Sequence, residues 1–152
     1  MAELTLVSFA ALLTQVVESL PAARHEALEQ AAVVVEKESK RVIGTYEYGW
    51  RQLRESTQDG RASAGFPPNE PLLVTGELRE SIEHNSDTND AHIGSNNEKA
   101  IWQELGTTGI PPRSFLAMAA ARKEKEVVDI LGGAGYQLLI GGSPRFIGPT
   151  KP

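Results

Sequence analysis

The residue types able to do chemistry are few in this chain and poorly arranged for it. Its three histidines are His25, His84 and His92. His84 and His92 flank the run Ser86-Asp87-Thr88-Asn89-Asp90, and with Asp90 they form the one pattern that suggests a metal ion. A bound zinc needs three or four protein donors, so two histidines without a third ligand at helical or hairpin spacing read as surface residues. Cysteine is absent, which removes disulfides and thiolate ligands. No serine stands in the Gly-x-Ser-x-Gly setting of a nucleophile elbow. Gly132-Gly133-Ala134-Gly135 follows a helical pattern and does not link a strand to a helix, so it lacks the context of a phosphate-binding loop. Glu77, Glu80 and Glu83 lie three apart in an acidic stretch, where paired carboxylates are nearly always solvated. The expectation is no catalytic set, no metal and no cofactor.

With 152 residues, 40% apolar and 23% charged, the chain has the composition of one globular domain. The net charge of −5 is unevenly spread. Residues 77–104 carry seven acids against two bases, whereas residues 105–152 carry six bases against three acids. A dedicated nucleic-acid binder shows a basic face, which this balance does not offer. It does allow the acidic middle of one copy to face the basic end of another, although a solvated surface explains the same charges. Met1-Ala2-Glu3-Leu4 has no basic region ahead of an apolar stretch, so no signal peptide is expected. No apolar run is expected to reach the roughly 20 residues of a membrane span.

The elements that must position any site follow from periodicity and punctuation. Ser8 reads as an N-cap, and Phe9, Leu12, Leu13, Val16, Val17 and Leu20 form one apolar helical stripe that Leu20-Pro21 interrupts. A second helix is expected from Pro21 to about Ile43, burying Leu28, Ala31, Ala32, Val35, Ser39, Val42 and Ile43, with Gly44 as its cap. Tyr46, Tyr48 and Trp50 alternate as in a strand while Leu53 keeps helical spacing, and the pattern does not decide between them. Residues 56–71, with Asp59-Gly60, Gly65 and Pro67-Pro68, read as loop. A short helical turn is expected at Thr75–Ser81, capped by Thr75, followed by a hairpin of Ile82–Asn85 and Ala91–Gly94. Residues 98–105 read as a helix ended by Gly106. A last helix, Phe115–Leu131, starts at Ser114 and is stopped by Gly132-Gly133. Trp50 and Trp102 suit either the core or an interface anchor.

From Leu73 to Leu116 the sequence becomes specific. Thr75-Gly76-Glu77-Leu78-Arg79-Glu80-Ser81-Ile82 is followed by Ala91-His92-Ile93-Gly94. Then come Ala100-Ile101-Trp102-Gln103-Glu104-Leu105-Gly106-Thr107 and Ile110-Pro111-Pro112-Arg113-Ser114-Phe115-Leu116. The order and spacing of these four blocks resemble the neck and tail-completion proteins of long-tailed bacteriophages, a family of minor tail components and virion morphogenesis proteins. Three departures stand out: Ile101-Trp102 replaces one tyrosine-like residue, Leu105 an aromatic, and Ser114 a proline.

The expected elements make an α+β fold, a small and mostly antiparallel sheet packed by N-terminal and C-terminal helices, and the resemblance adds a function. It implies a structural virion protein with no enzymatic activity, assembled in the host cytoplasm as a ring of six or twelve at the head–tail junction. Its expected partners are further copies of itself, the head-closure or adaptor protein and the tail-tube or tail-terminator protein. DNA would pass through the lumen without sequence-specific binding, and no membrane is involved. A tail-terminator ring and an assembly factor absent from the finished particle are the alternatives; a small hydrolase would need a polar pocket that the sequence does not supply. The single domain is expected to span residues 1–131. Residues 132–152, rich in glycine and proline with a strand-like Tyr136–Ile140, lie outside the resembling blocks and are expected to be a C-terminal arm, lying on a neighbouring subunit or folded back on its own. Contact residues are expected at Glu104, Gly106, Thr107, Pro111, Pro112, Arg113, Phe115 and Leu116, and in the arm at Leu138, Leu139 and Ile140. Glu104 is expected to pair with Arg113 and fix the loop between them. Thr75, Gly76, Leu78, Arg79, Ser81 and Ile82 are expected to serve the fold.

Overall fold

A computed structural model describes residues 5–140. Its elements are α1 (Leu6–Val42), α2 (Glu55–Ser63), α3 (Glu77–Glu80), β1 (Ile82–Ser86), β2 (Ala91–Ser95), α4 (Glu98–Leu105) and α5 (Leu116–Leu139). The fold is α+β: one antiparallel hairpin packed by the N-terminal and C-terminal helices, as expected.

The expected break at Leu20-Pro21 is absent, and α1 runs unbroken through Pro21. Proline removes the bond from its own nitrogen to the carbonyl of Val17. Val17 is 68% exposed, so water takes the freed carbonyl. The start also moves: Thr5 is the N-cap, its hydroxyl accepting from the Ser8 amide at 3.2 Å. The C-terminal half of α1 buries Ala31, Ala32, Val35, Ser39 and Val42, the face that periodicity indicates. The Ser39 hydroxyl, fully buried, donates back to the Val35 carbonyl at 2.9 Å.

α5 runs antiparallel to α1, with Arg122 beside Glu38 at 3.9 Å. Small residues, Ala23, Ala27 and Ala31, line the α1 side of this contact. Here the expected stop at Gly132-Gly133 fails, and the Tyr136–Ile140 run is helical instead of strand-like. Leu138 is buried at 7% exposure within its own subunit, and its burial holds the end of the helix down. Residues 141–152, the rest of the expected arm, lie outside the described residues.

The main core forms at one end of the molecule. Val42, Ile43, Trp50, Leu78, Ile82, Ala100 and Phe115 meet there, so α1, α3, β1, α4 and the start of α5 all contribute. The undecided Tyr46–Trp50 segment is neither strand nor helix. Trp50 enters the core, edge-on to Tyr48 at 5.7 Å, and Tyr48 donates its hydroxyl to Glu38 at 2.9 Å. Glu38 is itself buried, and the Arg41 guanidinium beside it, with Tyr48, holds its pKa down at about 2. The expected loop at 56–71 contains α2, a polar helix with no buried residue. Its anchor is Arg61, which donates to the carbonyls of Glu70 at 2.7 Å and Leu73 at 3.2 Å.

The hairpin has the register Ile82↔Ser95, His84↔Ile93 and Ser86↔Ala91. An isolated two-stranded ribbon is marginal in water, and polar bonds to α1 secure this one. His84 lies between Glu29, 2.9 Å from Nε2, and Glu36 on Nδ1, while Ser86 donates to Glu29. Arg24 donates to the Thr88 carbonyl at 2.5 Å and to Asn89 at the turn.

Bonds to Glu29 and then Glu36 raise the His84 pKa against the opposing effect of burial. Its contribution is therefore whole below the unfolded value of 6.5 and is withdrawn as pH rises through the higher folded value. Glu29 is lowered, chiefly by Ser86 and then His84; Glu36 is lowered because bonds from Lys40 and His84 outweigh burial. Their contributions are whole above the unfolded value of 4.5 and fade as pH falls through their folded values. All three contributions are complete together between 4.5 and 6.5. Amide hydrogen exchange of Ile82–Ser86, corrected for intrinsic rates, should therefore accelerate between pH 6 and pH 9 on the order of a few-fold. No change, or slower exchange, would contradict the clamp.

A Cβ at Gly132, Gly133 or Gly135 would meet no atom within 4 Å, and none of the three has positive φ. Glycine costs about 1 kcal/mol against alanine inside a helix. Gly132→Ala and Gly133→Ala should each raise the free energy of unfolding by about 0.5–1 kcal/mol in urea titrations; a loss of stability would show that the glycines serve a contact.

Candidate functional site

Three of the four sequence blocks that resemble the phage family meet at the core residues Leu78, Ala100 and Phe115, in α3, α4 and at the start of α5, while the Ala91–Gly94 block lies in β2. The first block belongs to the fold. Leu78 and Ile82 are core residues, and Ser81 donates to the Leu78 carbonyl at 2.8 Å and shares a bond of 2.7 Å with Ser95. Gly76 has φ of 89° and stands as N-cap of α3, while Thr75 accepts from the Glu77 amide at 3.4 Å. Arg79 is a surface residue beside Glu80 at 3.8 Å.

Glu104 does not pair with Arg113. Its carboxylate turns to the N-terminus of α5, accepting from the amides of Phe115 at 2.8 Å, Leu116 at 3.0 Å and Ala117 at 3.0 Å and from the Ser114 hydroxyl at 2.6 Å. Those amides have no partner within the helix, and the helix dipole adds to the attraction for a negative charge. Burial pushes the Glu104 pKa up, but bonds from Ser114 and the three amides prevail and hold it below the ordinary value. Ser114, expected as the N-cap, is thus an accessory, and the cap comes from another helix.

Gly106 carries the reversal between α4 and α5. Its φ is 77°, and a Cβ there would meet the Ile110 carbonyl oxygen at 2.9 Å and the Pro112 nitrogen at 2.9 Å. Thr107 donates its amide to the Ile110 carbonyl at 2.9 Å and accepts from the Gly109 and Ile110 amides, bracing the turn.

The expected contact residues divide. Phe115 is fully buried and Arg113 is 6% exposed, so both belong to the subunit interior, and Leu138 does too. Leu116 packs against the core and Pro111 is half-buried. Thr107, Pro112, Leu139 and Ile140 remain on the surface, the last two at 65% and 56% exposure. Two apolar faces were not anticipated. One is the outer face of α4, with Ile101, Trp102 and Leu105 exposed. Their helical spacing was legible, but which side faced inward depended on Ala100 entering the core. The other is the N-terminal half of α1, where Phe9, Leu13, Val17 and Leu20 of the apolar stripe face solvent. The antiparallel register of Arg122 with Glu38 places Ile140 roughly level with Leu20. The first turns of α1 therefore extend roughly 20 Å past the end of α5.

Because α1 is unbroken at Pro21, it is also apolar enough to cross a membrane, with a mean hydropathy of 1.5 over 18 residues of which 6% are buried. The imagined metal site does not assemble: His92 pairs with Asn85 across the hairpin while His84 is held by two glutamates, and the described residues contain no cluster of three or more metal-ligating side chains. The chain matches no protein-family model, no curated protein and no solved structure.

The bracing of the α4–α5 reversal can be measured. Glu104→Ala leaves three helix-terminal amides and a hydroxyl unpartnered, and should cost about 1–3 kcal/mol in chemical denaturation. Gly106→Ala imposes strained φ and backbone clashes, and should cost about 1–3 kcal/mol or more. A loss below about 0.5 kcal/mol for either would show that the loop is not held as described.

Proposed function

We propose that this chain is a structural subunit of the phage head–tail junction, one copy of a homo-oligomeric ring around the DNA channel, and that it does no catalysis. The observation that carries this reading is the pair of exposed apolar faces on different elements: Phe9, Leu13, Val17 and Leu20 on α1, and Ile101, Trp102 and Leu105 on α4. A closed ring is built head to tail, one patch meeting a different patch on the next copy. The order of the Thr75–Leu116 blocks supplies the resemblance to neck and tail-completion proteins. A tail-terminator ring is the same architecture on the other side of the junction.

The projecting α1 half of one subunit lies on the α4 face of its neighbour. Each side chain involved returns at most about 1.5–3 kcal/mol on full burial, and all are partly covered already. Association costs about 4–15 kcal/mol in lost freedom. The two are comparable, so isolated subunits associate weakly and the ring is completed on the particle, where each copy makes two such contacts.

A second reading has its own observation. The apolar stretch of α1 suits insertion into a membrane, and the same experiment separates the two. Val17→Asp disables the α1 face and Trp102→Asp the α4 face. Under chemical cross-linking and velocity sedimentation, the unsubstituted protein should form oligomers and each variant should stay monomeric. An equimolar mixture should yield heterodimers, since each variant keeps the patch the other lacks. Variants that associate unchanged, or an equimolar mixture that yields no heterodimer, would defeat the head-to-tail arrangement. Flotation with liposomes that Val17→Asp abolishes would favour the membrane. Copies of the chain in the neck of purified particles, seen by cryo-electron microscopy, would establish the location; their absence would favour an assembly factor.

A further inference from the structure

A cavity of about 110 Å³ opens between α2, the Leu72–Leu78 segment, α4 and the residue that precedes Ser114. Its charged lining is Arg61, Lys99 and Arg113 against one acid, Glu77, and Glu77 is already bonded to Lys99 at 3.2 Å near the surface. Arg113 is 6% exposed. Its Nη2 donates to the Arg51 carbonyl at 3.2 Å, while Nε is buried and has no partner. Across the same space Gln103 Oε1 is buried and unpartnered. Among the described residues neither Arg61 nor Arg113 pairs with a carboxylate. Burial lowers the pKa of the Arg113 guanidinium; Tyr46 opposes this and repulsion from Arg61 adds to it.

Two guanidinium groups in one cavity repel, and a buried charge without a counter-charge is among the costliest arrangements in a protein. A water can satisfy Nε of Arg113 and Oε1 of Gln103, but it does not balance the charge. We propose that this cavity binds a single oxyanion, a carboxylate or a phosphate group, held between Arg61 and Arg113 with Lys99 at the mouth. The guanidinium fork matches two oxygens of such a group. The space is ample for one oxyanion group between the two guanidinium groups. The same chemistry comes from a free ion or from an acidic side chain of another copy. The inference does not depend on the proposed role in a phage particle.

Thermal unfolding of the full chain, dilute enough to be monomeric, tests it. Phosphate and acetate are titrated at constant ionic strength, with chloride as the balancing salt. Tm should rise saturably, by about 3–6 °C at tenfold excess over Kd. Arg113→Met should fold, lose this saturable rise and be no less stable in chloride, because an uncompensated buried charge has gone. General stabilisation by phosphate is non-saturating and would be equal in both proteins. That equality, or the absence of a saturable rise in the unsubstituted chain, overturns the proposal. If Arg113→Met does not fold, Lys99→Gln at the mouth, which anchors no element, decides: a Kd weakened about threefold or more supports the site, and an unchanged Kd sinks it. Sedimentation of concentrated protein then separates the sources. Phosphate that dissociates oligomers marks an acidic side chain of a neighbour as the occupant, and oligomers indifferent to saturating phosphate mark a free ion.

Discussion

The carboxylate of Glu104 is the contact on which the rest of the site turns. It stands at the end of α4 and closes the N-terminus of α5, taking three amides and a hydroxyl that nothing inside α5 satisfies. By fixing where α5 begins, it seats Phe115 in the core and starts the helix back along α1. It has a second effect: an acid committed to a helix terminus is not available to Arg113, nine residues on. Arg113 is nevertheless drawn inside, its own amide bonded to the Gln103 carbonyl at 2.6 Å. A buried cation without an anion is thus a by-product of the way the α4–α5 reversal is braced, and that imbalance gives the neighbouring cavity its chemical character.

The molecule is lopsided in what it buries. Around Val42 and Phe115 six segments close a core, and two of the buried polar groups there are well partnered: Ser39 returns to its own helix, and Glu38 collects Arg41 and Tyr48. At the opposite end α1 outruns α5, with its apolar stripe in water. Most of a helix's stability in a protein comes from packing its apolar face, which this end of α1 leaves exposed. The N-terminal half of α1 therefore projects, with Phe9, Leu13, Val17 and Leu20 exposed.

Sequence reasoning succeeded where the deciding physics is local. The turn at Asp87, whose side chain accepts from the amides of Asn89 and Asp90, follows from a run of turn-forming residues. It brings together two strands within a few residues of their expected ends. Gly106 terminates α4 because positive φ and a crowded backbone admit no Cβ, and both requirements are readable from a lone glycine after an apolar helical pattern. The buried face of α1 beyond Pro21 obeys the same logic of spacing.

What the amino-acid sequence determined by itself was therefore the α+β class, the hairpin, α4 and the inner face of α1's second half, since each rests on groups a few residues apart. Tertiary structure alone decided the rest. Pro21 and Gly132-Gly133 are local stop signals of a few kcal/mol at most, and a helix pair that buries Ala23, Ala27 and Leu138 overrides them. α2 carries no apolar period and persists because Arg61 ties it to distant carbonyls. The choice of Glu104 between Arg113 and the α5 amides, and the choice of α4's inner face, depend on distances between elements. A linear pattern of residue types does not contain those distances, because they are set only when separate segments pack against one another.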